Sequence, residues 1–86
     1  MPKRKKRSKI KIVLRKLGRE QALGLCWKDK DLVEIDDRLD NRWTLKVLVH
    51  ELLHAVCKEM SETDVERRSR KMAEGIWRMG YRRIAD

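Results

Sequence analysis

The chain has 86 residues, 43% of them charged, and a formal net charge of +9. This length allows one small domain, and no stretch is apolar for long enough to span a membrane. Much of the charge excess lies near the start, where seven cations occur without an acid: Lys3, Arg4, Lys5, Lys6, Arg7, Lys9 and Lys11. We expect residues 1–9 to form a disordered basic arm and residues 10–86 to form a single domain.

The location predicted for the protein is the cytoplasm, or the host cytoplasm if a phage encodes it. No apolar run follows the basic start, so a signal peptide is not expected. The two thiols, Cys26 and Cys57, lie far apart in sequence, which favours a reducing compartment over a disulfide framework.

Three short segments have the composition of strands. Residues 10–14, 23–27 and 32–36 are rich in β-branched and aliphatic side chains, and polar or glycine-containing stretches separate them. The second and third segments flank a short polar turn, which predicts an antiparallel hairpin. We therefore expect a small three-stranded antiparallel sheet.

Two helices should follow the strands. The first is predicted from about residue 43 or 44 to residue 60, with Asn41 or Thr44 as its N-cap. The sequence Ser61-Glu62-Thr63-Asp64 resembles a capping box, so a second helix should begin there, run to about residue 79 and stop at Gly80. The face predicted to pack on the first helix contains Val65, Ser69, Met72, Ala73, Ile76, Met79 and Gly80. The fold class predicted from this order is α+β.

The only two histidines of the chain lie four residues apart in the sequence His50-Glu51-Leu52-Leu53-His54. In a helix they share one face, and Glu51 lies at the edge of that face. The surrounding positions are mostly apolar, and polar groups buried there need a partner. Two neutral imidazoles with an adjacent carboxylate are typical of a zinc site, with Glu51 as the general base.

A zinc site of this kind needs a third protein ligand, and no histidine remains to supply it. A third histidine at the metzincin spacing is excluded because Met60 occupies that position, and Cys57 replaces the glycine of that motif. A carboxylate from the second helix is the natural substitute. Glu66 lies on the flank of the apolar face and is favoured over Glu62, whose first-turn position also suits the helix dipole.

The segment from about residue 32 to residue 79 resembles the small zincin metallopeptidase-like proteins often encoded by phages, and it is similar to the ImmA/IrrE-type peptidases. The resemblance depends on His50-Glu51-Leu52-Leu53-His54-Ala55, the preceding Val33-Glu34-Ile35-Asp36 and the acidic helix that follows. In that group the second helix begins with the ligand glutamate, and an aromatic-Ala pair lies six and seven residues later. Glu66 with Met72 and Ala73 matches this register, with Met in place of the aromatic residue. The resemblance implies a gluzincin-like zinc site and a strand that holds a peptide or protein substrate by edge pairing.

The expected reaction is hydrolysis of a peptide bond. His50, His54 and Glu66 would hold Zn²⁺, which lowers the pKa of a water molecule to about 7. Glu51 would take the proton of that water and pass it to the leaving amine. Asp36 and Asp37 are candidates for orienting the histidines, although loop acids are the simpler interpretation. Tyr81 is a candidate oxyanion donor, although packing is the simpler role.

Two other functions remain open at this point. Cys26 and Cys57 could join both histidines in a closed Cys₂His₂ site, which would make the zinc structural and the protein non-catalytic. The basic arm, with Arg67, Arg68, Arg70 and Lys71 of the second helix, could bind nucleic acid or a protein partner.

Overall fold

The computed structural model describes residues 9–19 and 21–84, which form three strands and two long helices. The strands are β1 (Lys11–Arg15), β2 (Gly24–Trp27) and β3 (Leu32–Asp36), and the helices are α1 (Asn41–Val56) and α2 (Glu62–Arg78). The order of the elements confirms the predicted α+β fold. Apart from Lys9, the predicted basic arm lies outside the described residues.

The sheet is mixed, so the prediction of a purely antiparallel sheet was wrong. Its strand order is β1-β3-β2, with β3 antiparallel to β2 and parallel to β1. The hairpin of β2 and β3 was correctly predicted. Because the chain reverses direction twice between β1 and β3, these strands run the same way. Placing β3 in the centre therefore makes their pairing parallel.

The core lies between the sheet and α1. Val33 and Ile35, on one face of β3, pack with Val47 and Ala55 of α1, and side chains from β1 and β2 complete the cluster. The alternation of side chains along β3 directs Glu34 and Asp36 to the opposite face.

Those two acids are buried and bound by arginines. Glu34 accepts hydrogen bonds from Arg15 and from Trp27 Nε1, and these bonds lower its pKa. Asp36 accepts bonds from the Arg38 side chain at 2.8 and 3.0 Å and from the Arg38 backbone N–H, which lower its pKa to about 2. Each buried carboxylate thus has a cationic partner.

The helices begin at side-chain caps. Asp40 caps α1 by accepting a 2.8 Å hydrogen bond from the backbone N–H of Trp43, whereas the sequence predicted Asn41 or Thr44 in that role. The helix ends at Val56 instead of residue 60. Ser61 caps α2 as predicted, accepting a bond from the Asp64 backbone N–H.

The α2 face that packs on α1 is narrower than predicted. Val65, Ser69 and Ala73 are buried, but Met72 and Met79 are 48% and 74% exposed. Positions four residues apart form the contact with a single neighbouring helix, and the two methionines lie outside that stripe. In the part of the chain that the structure describes, no helix is long and apolar enough to cross a membrane.

Candidate metal centre

The two histidines lie side by side on α1, one helical turn apart. Their ring centroids are 4.9 Å apart and the ring planes are inclined by 67°. The side chains are only 18% and 12% exposed. The two histidines share one face of α1, as the spacing predicted, and both rings are directed at α2.

Glu62, in the first turn of α2, bridges the two rings. Its Oε1 lies 3.0 Å from His50 Nε2, and its Oε2 lies 2.7 Å from His54 Nε2. The short connection and the Ser61 cap place this turn beside the end of α1. The three residues have ligand atoms within 4.8 Å of one another and could hold a metal ion.

Glu66, the favoured third ligand in the sequence, contacts the other nitrogen of His50. Its Oε2 lies 3.1 Å from His50 Nδ1, and its Oε1 accepts a 2.9 Å bond from Arg70 Nη2. The Arg70 bond is the main reason that the pKa of Glu66 is lowered. A carboxylate on Nδ1 fixes the orientation of an imidazole and leaves Nε2 available to a metal.

The donor atoms of His50, His54 and Glu62 lie close together and are of the types that bind a metal ion. Bonds of 2.0–2.1 Å to a tetrahedral zinc ion separate the ligand atoms by about 3.3 Å. The distances from the two Glu62 oxygens to the histidine Nε2 atoms, 3.0 and 2.7 Å, are shorter than this separation. His54 Nδ1 is buried and has no hydrogen-bond partner among the described residues.

Glu51 lies beside this cluster and is packed against β2. A Cβ atom built on Gly24 would lie 2.9 Å from Glu51 Cγ and 2.5 Å from Val47 Cγ1, so only glycine fits at this approach of strand and helix. Burial raises the pKa of Glu51, and the neighbouring His50 and His54 partly oppose that effect. A carboxylate with a raised pKa beside a metal-capable group suits a general base.

The strand β2 presents a free edge to the same cleft. The Asp36 backbone N–H donates to the Leu23 carbonyl at 2.9 Å, so residues 23, 25 and 27 direct their polar groups towards β3. The backbone groups of Gly24 and Cys26 therefore point away from β3. A cleft of about 440 Å³ adjoins Gly24; its lining residues are Leu23, Gly24, Trp43, Lys46, Val47, His50, Glu51, Glu66, Ser69 and Arg70.

Several predicted contributors lie elsewhere. Among the described residues, the metal-capable group contains neither cysteine, so the Cys₂His₂ site is not formed. Asp36 is bound by Arg38, and Asp37 is exposed. Tyr81 is 68% exposed, so it is not a packing residue, and it does not line the cleft.

Comparisons of the chain with protein families, with curated proteins and with solved structures find no match. Its chemistry is accordingly inferred from its own residues.

Proposed function

We propose that the protein is a small zinc-dependent peptidase of the HExxH type. His50, His54 and Glu62 would hold the ion, and Glu66 would orient His50 through Nδ1. Zinc bound there would supply Lewis-acid activation of a water molecule and of the scissile carbonyl group. The observation that carries the proposal is the convergence of both Nε2 atoms on one carboxylate, with Glu51 packed at its side.

Glu51 is the general base of the proposed reaction. It is not needed as a ligand, because three other groups already converge. Its partial burial favours proton uptake, since burial raises the pKa of the carboxylate. The proton taken from water by Glu51 is then delivered to the leaving amine, which restores the carboxylate.

The free edge of β2 is the proposed binding site for the peptide backbone. The outward-facing N–H and C=O groups of Gly24 and Cys26 allow an extended peptide to add as a further strand. Because Gly24 lies directly against Glu51, a peptide held there would pass in front of the base and the histidines. This binding mode is the one that the resemblance to the small phage-encoded zincins and the ImmA/IrrE-type peptidases implies.

The test is the Glu51→Gln variant, compared with wild type at matched zinc content. We expect both proteins to bind one zinc ion per chain, measured by elemental analysis. Cleavage of a peptide library, followed by mass spectrometry under single-turnover conditions, should fall about 10²–10⁴-fold in the variant. The exposed Glu59→Gln change serves as the matched control and should leave cleavage unchanged.

Equal cleavage by wild type and Glu51→Gln would remove Glu51 from the mechanism. Loss of zinc from the variant would instead assign Glu51 to metal binding. A wild-type protein that holds zinc but cleaves nothing in the library would favour the non-catalytic alternative, a zinc-stabilised module that binds nucleic acid or a protein partner.

A further inference from the structure

The groove between the two helices continues beyond the metal-capable cluster. A second cavity, of about 140 Å³, shares Lys46 and Arg70 with the larger cleft and extends to Arg42 and Trp77. The helices are antiparallel, because His50 lies opposite Glu66 while Arg42 lies opposite Trp77. A ligand chain leaving the histidines in this direction therefore meets Lys46 first.

This part of the groove has more positive than negative charge. Arg70 is neutralised by Glu66, and Glu74 lies 3.6 Å from Arg78. Lys46 and Arg42 have no acidic partner among the described residues. Each lies over a tryptophan ring instead. Lys46 Nζ is 5.0 Å from the centroid of the Trp43 ring, and Arg42 Cζ is 5.6 Å from the centroid of the Trp77 ring. The Trp43 contact holds Lys46 at the groove without neutralising it. Arg42 shares the Trp77 ring with Arg82, whose Cζ is closer to the centroid, at 3.3 Å.

We propose that Lys46, supported by Arg42, forms a subsite for an acidic side chain of the peptide substrate. The subsite rests on the proposed peptidase function and narrows its substrate class to peptides with Asp or Glu close to the scissile bond. Lys46 precedes His50 by four residues, about 6 Å along the helix axis. An extended peptide covers that distance in about two residues, so the acidic residue lies about two positions from the cleaved bond.

A peptide fits this groove better than a nucleic acid does. Apart from Lys46 and Arg42, the charged groups in this part of the groove are already paired, Arg70 with Glu66 and Glu74 with Arg78, so they offer a chain of phosphates no net attraction. A single carboxylate can instead approach Lys46 while its backbone pairs with the free edge of β2. Binding of one acidic side chain requires only the two unneutralised cations.

The experiment measures binding, so it does not depend on turnover. Zinc-loaded full-length Glu51→Gln protein is immobilised and equilibrated with two pools of acetylated octapeptides. The pools have random uncharged residues and differ only in a single Glu or Gln at a fixed position. We expect Glu peptides to be retained about fivefold better than Gln peptides, and Lys46→Gln in the same background to abolish the difference.

Lys30→Gln is the matched control, because Lys30 also lies over an exposed tryptophan, Trp27, at 5.4 Å, but does not line the cleft. It should keep the preference for Glu. Lys46→Glu is a second variant and should reverse the preference, so that the Gln pool is retained better than the Glu pool. The proposal is overturned if the parent protein retains the Glu and Gln pools equally. It is also overturned if Lys30→Gln reduces the preference for Glu peptides as much as Lys46→Gln does.

A mixed-sequence single-stranded oligonucleotide is added as competitor. Lys46-dependent binding of the oligonucleotide that is tighter than that of the Glu pool would assign the groove to nucleic acid and overturn the proposal. Lys46-dependent retention of Glu peptides without cleavage by wild type would keep the acidic subsite and reject the peptidase function.

Discussion

At the scale of single residues, the third member of the metal-capable group is where sequence and structure differ most: the sequence favoured Glu66, and the group contains Glu62. The histidine spacing was sufficient to predict that His50 and His54 share one helical face with Glu51 at its edge, because all three lie on one helix with a known period. The third carboxylate comes from another helix. Which carboxylate of α2 meets the histidines depends on the length of the connection between the helices and on the angle at which they pack. A helical wheel of α2 alone gives neither quantity. The Ser61 cap was the available signal, since it places Glu62 in the first turn, beside the end of α1.

Glu62→Gln and Glu66→Gln should therefore have different effects on zinc affinity. Removing the Glu62 carboxylate deletes a proposed ligand, and we expect the affinity to fall more than 100-fold. Loss of the Glu66 contact with His50 Nδ1 should cost about 10–100-fold, the usual range for a group that orients a ligand. Competition with a chromophoric chelator measures both affinities, with Glu59→Gln as control. The opposite ranking would make Glu66 the ligand.

Gly24 is the residue that permits β2 and α1 to approach each other at the site. Gly24→Ala should destabilise the fold by about 1–3 kcal/mol, because the new methyl group would collide with Val47 and Glu51. It should also lower peptide cleavage by displacing Glu51. Gly75→Ala is the control: nothing lies within 4 Å of a Cβ at this helical position, so it should stabilise by about 0.5–1 kcal/mol. Urea unfolding compares the two, and equal effects would show that the close approach is unimportant.

At the scale of elements, the strands and helices were predictable but the strand order was not. Local composition determined the positions of β2, β3 and α2 to within about one residue, and turn chemistry identified the hairpin. The order β1-β3-β2 depends on interactions distant in sequence, such as Arg15 of β1 with Glu34 of β3. β3 is the most buried strand. Its burial was not predictable from its own sequence, because it contains two acids whose arginine partners lie on β1 and in the following loop.

The Asp36–Arg38 pair at the end of β3 should make stability depend on pH. The folded-state pKa of Asp36 is about 2, below its ordinary value of 3.8, so its contribution is present above about pH 4 and is lost as the pH falls through about 2. Asp36→Asn should therefore be destabilising at pH 7, and its difference from wild type should narrow between pH 4 and pH 2. Urea unfolding of the metal-free proteins measures this, with the exposed Asp37→Asn as control. A difference that stays constant over this range would contradict the assignment.

At the scale of the whole molecule, the hydrophobic core is small, and 43% of the residues in the chain are charged. The buried apolar side chains in the described part of the chain are mostly valine and alanine: Leu17, Val33, Ile35, Val47, Val49, Ala55, Val65 and Ala73. Such a core leaves a narrow margin of stability, to which a ligand that joins two elements contributes substantially. His50 and His54 belong to α1, and Glu62 belongs to α2, so a bound ion would join the two helices.

Removal of zinc should consequently lower the melting temperature. A ligand present at 100 times its Kd stabilises the folded state by about 2.7 kcal/mol, and a domain of this size changes its Tm by about 4–8 °C for each kcal/mol. Chelation should thus lower the Tm by about 10–20 °C, measured by circular dichroism, and added zinc should restore it. His54→Gln should have a low Tm that responds to neither treatment, because it lacks one of the ligands. An equal response of wild type and His54→Gln to chelation would show that the stabilising ion binds at another site.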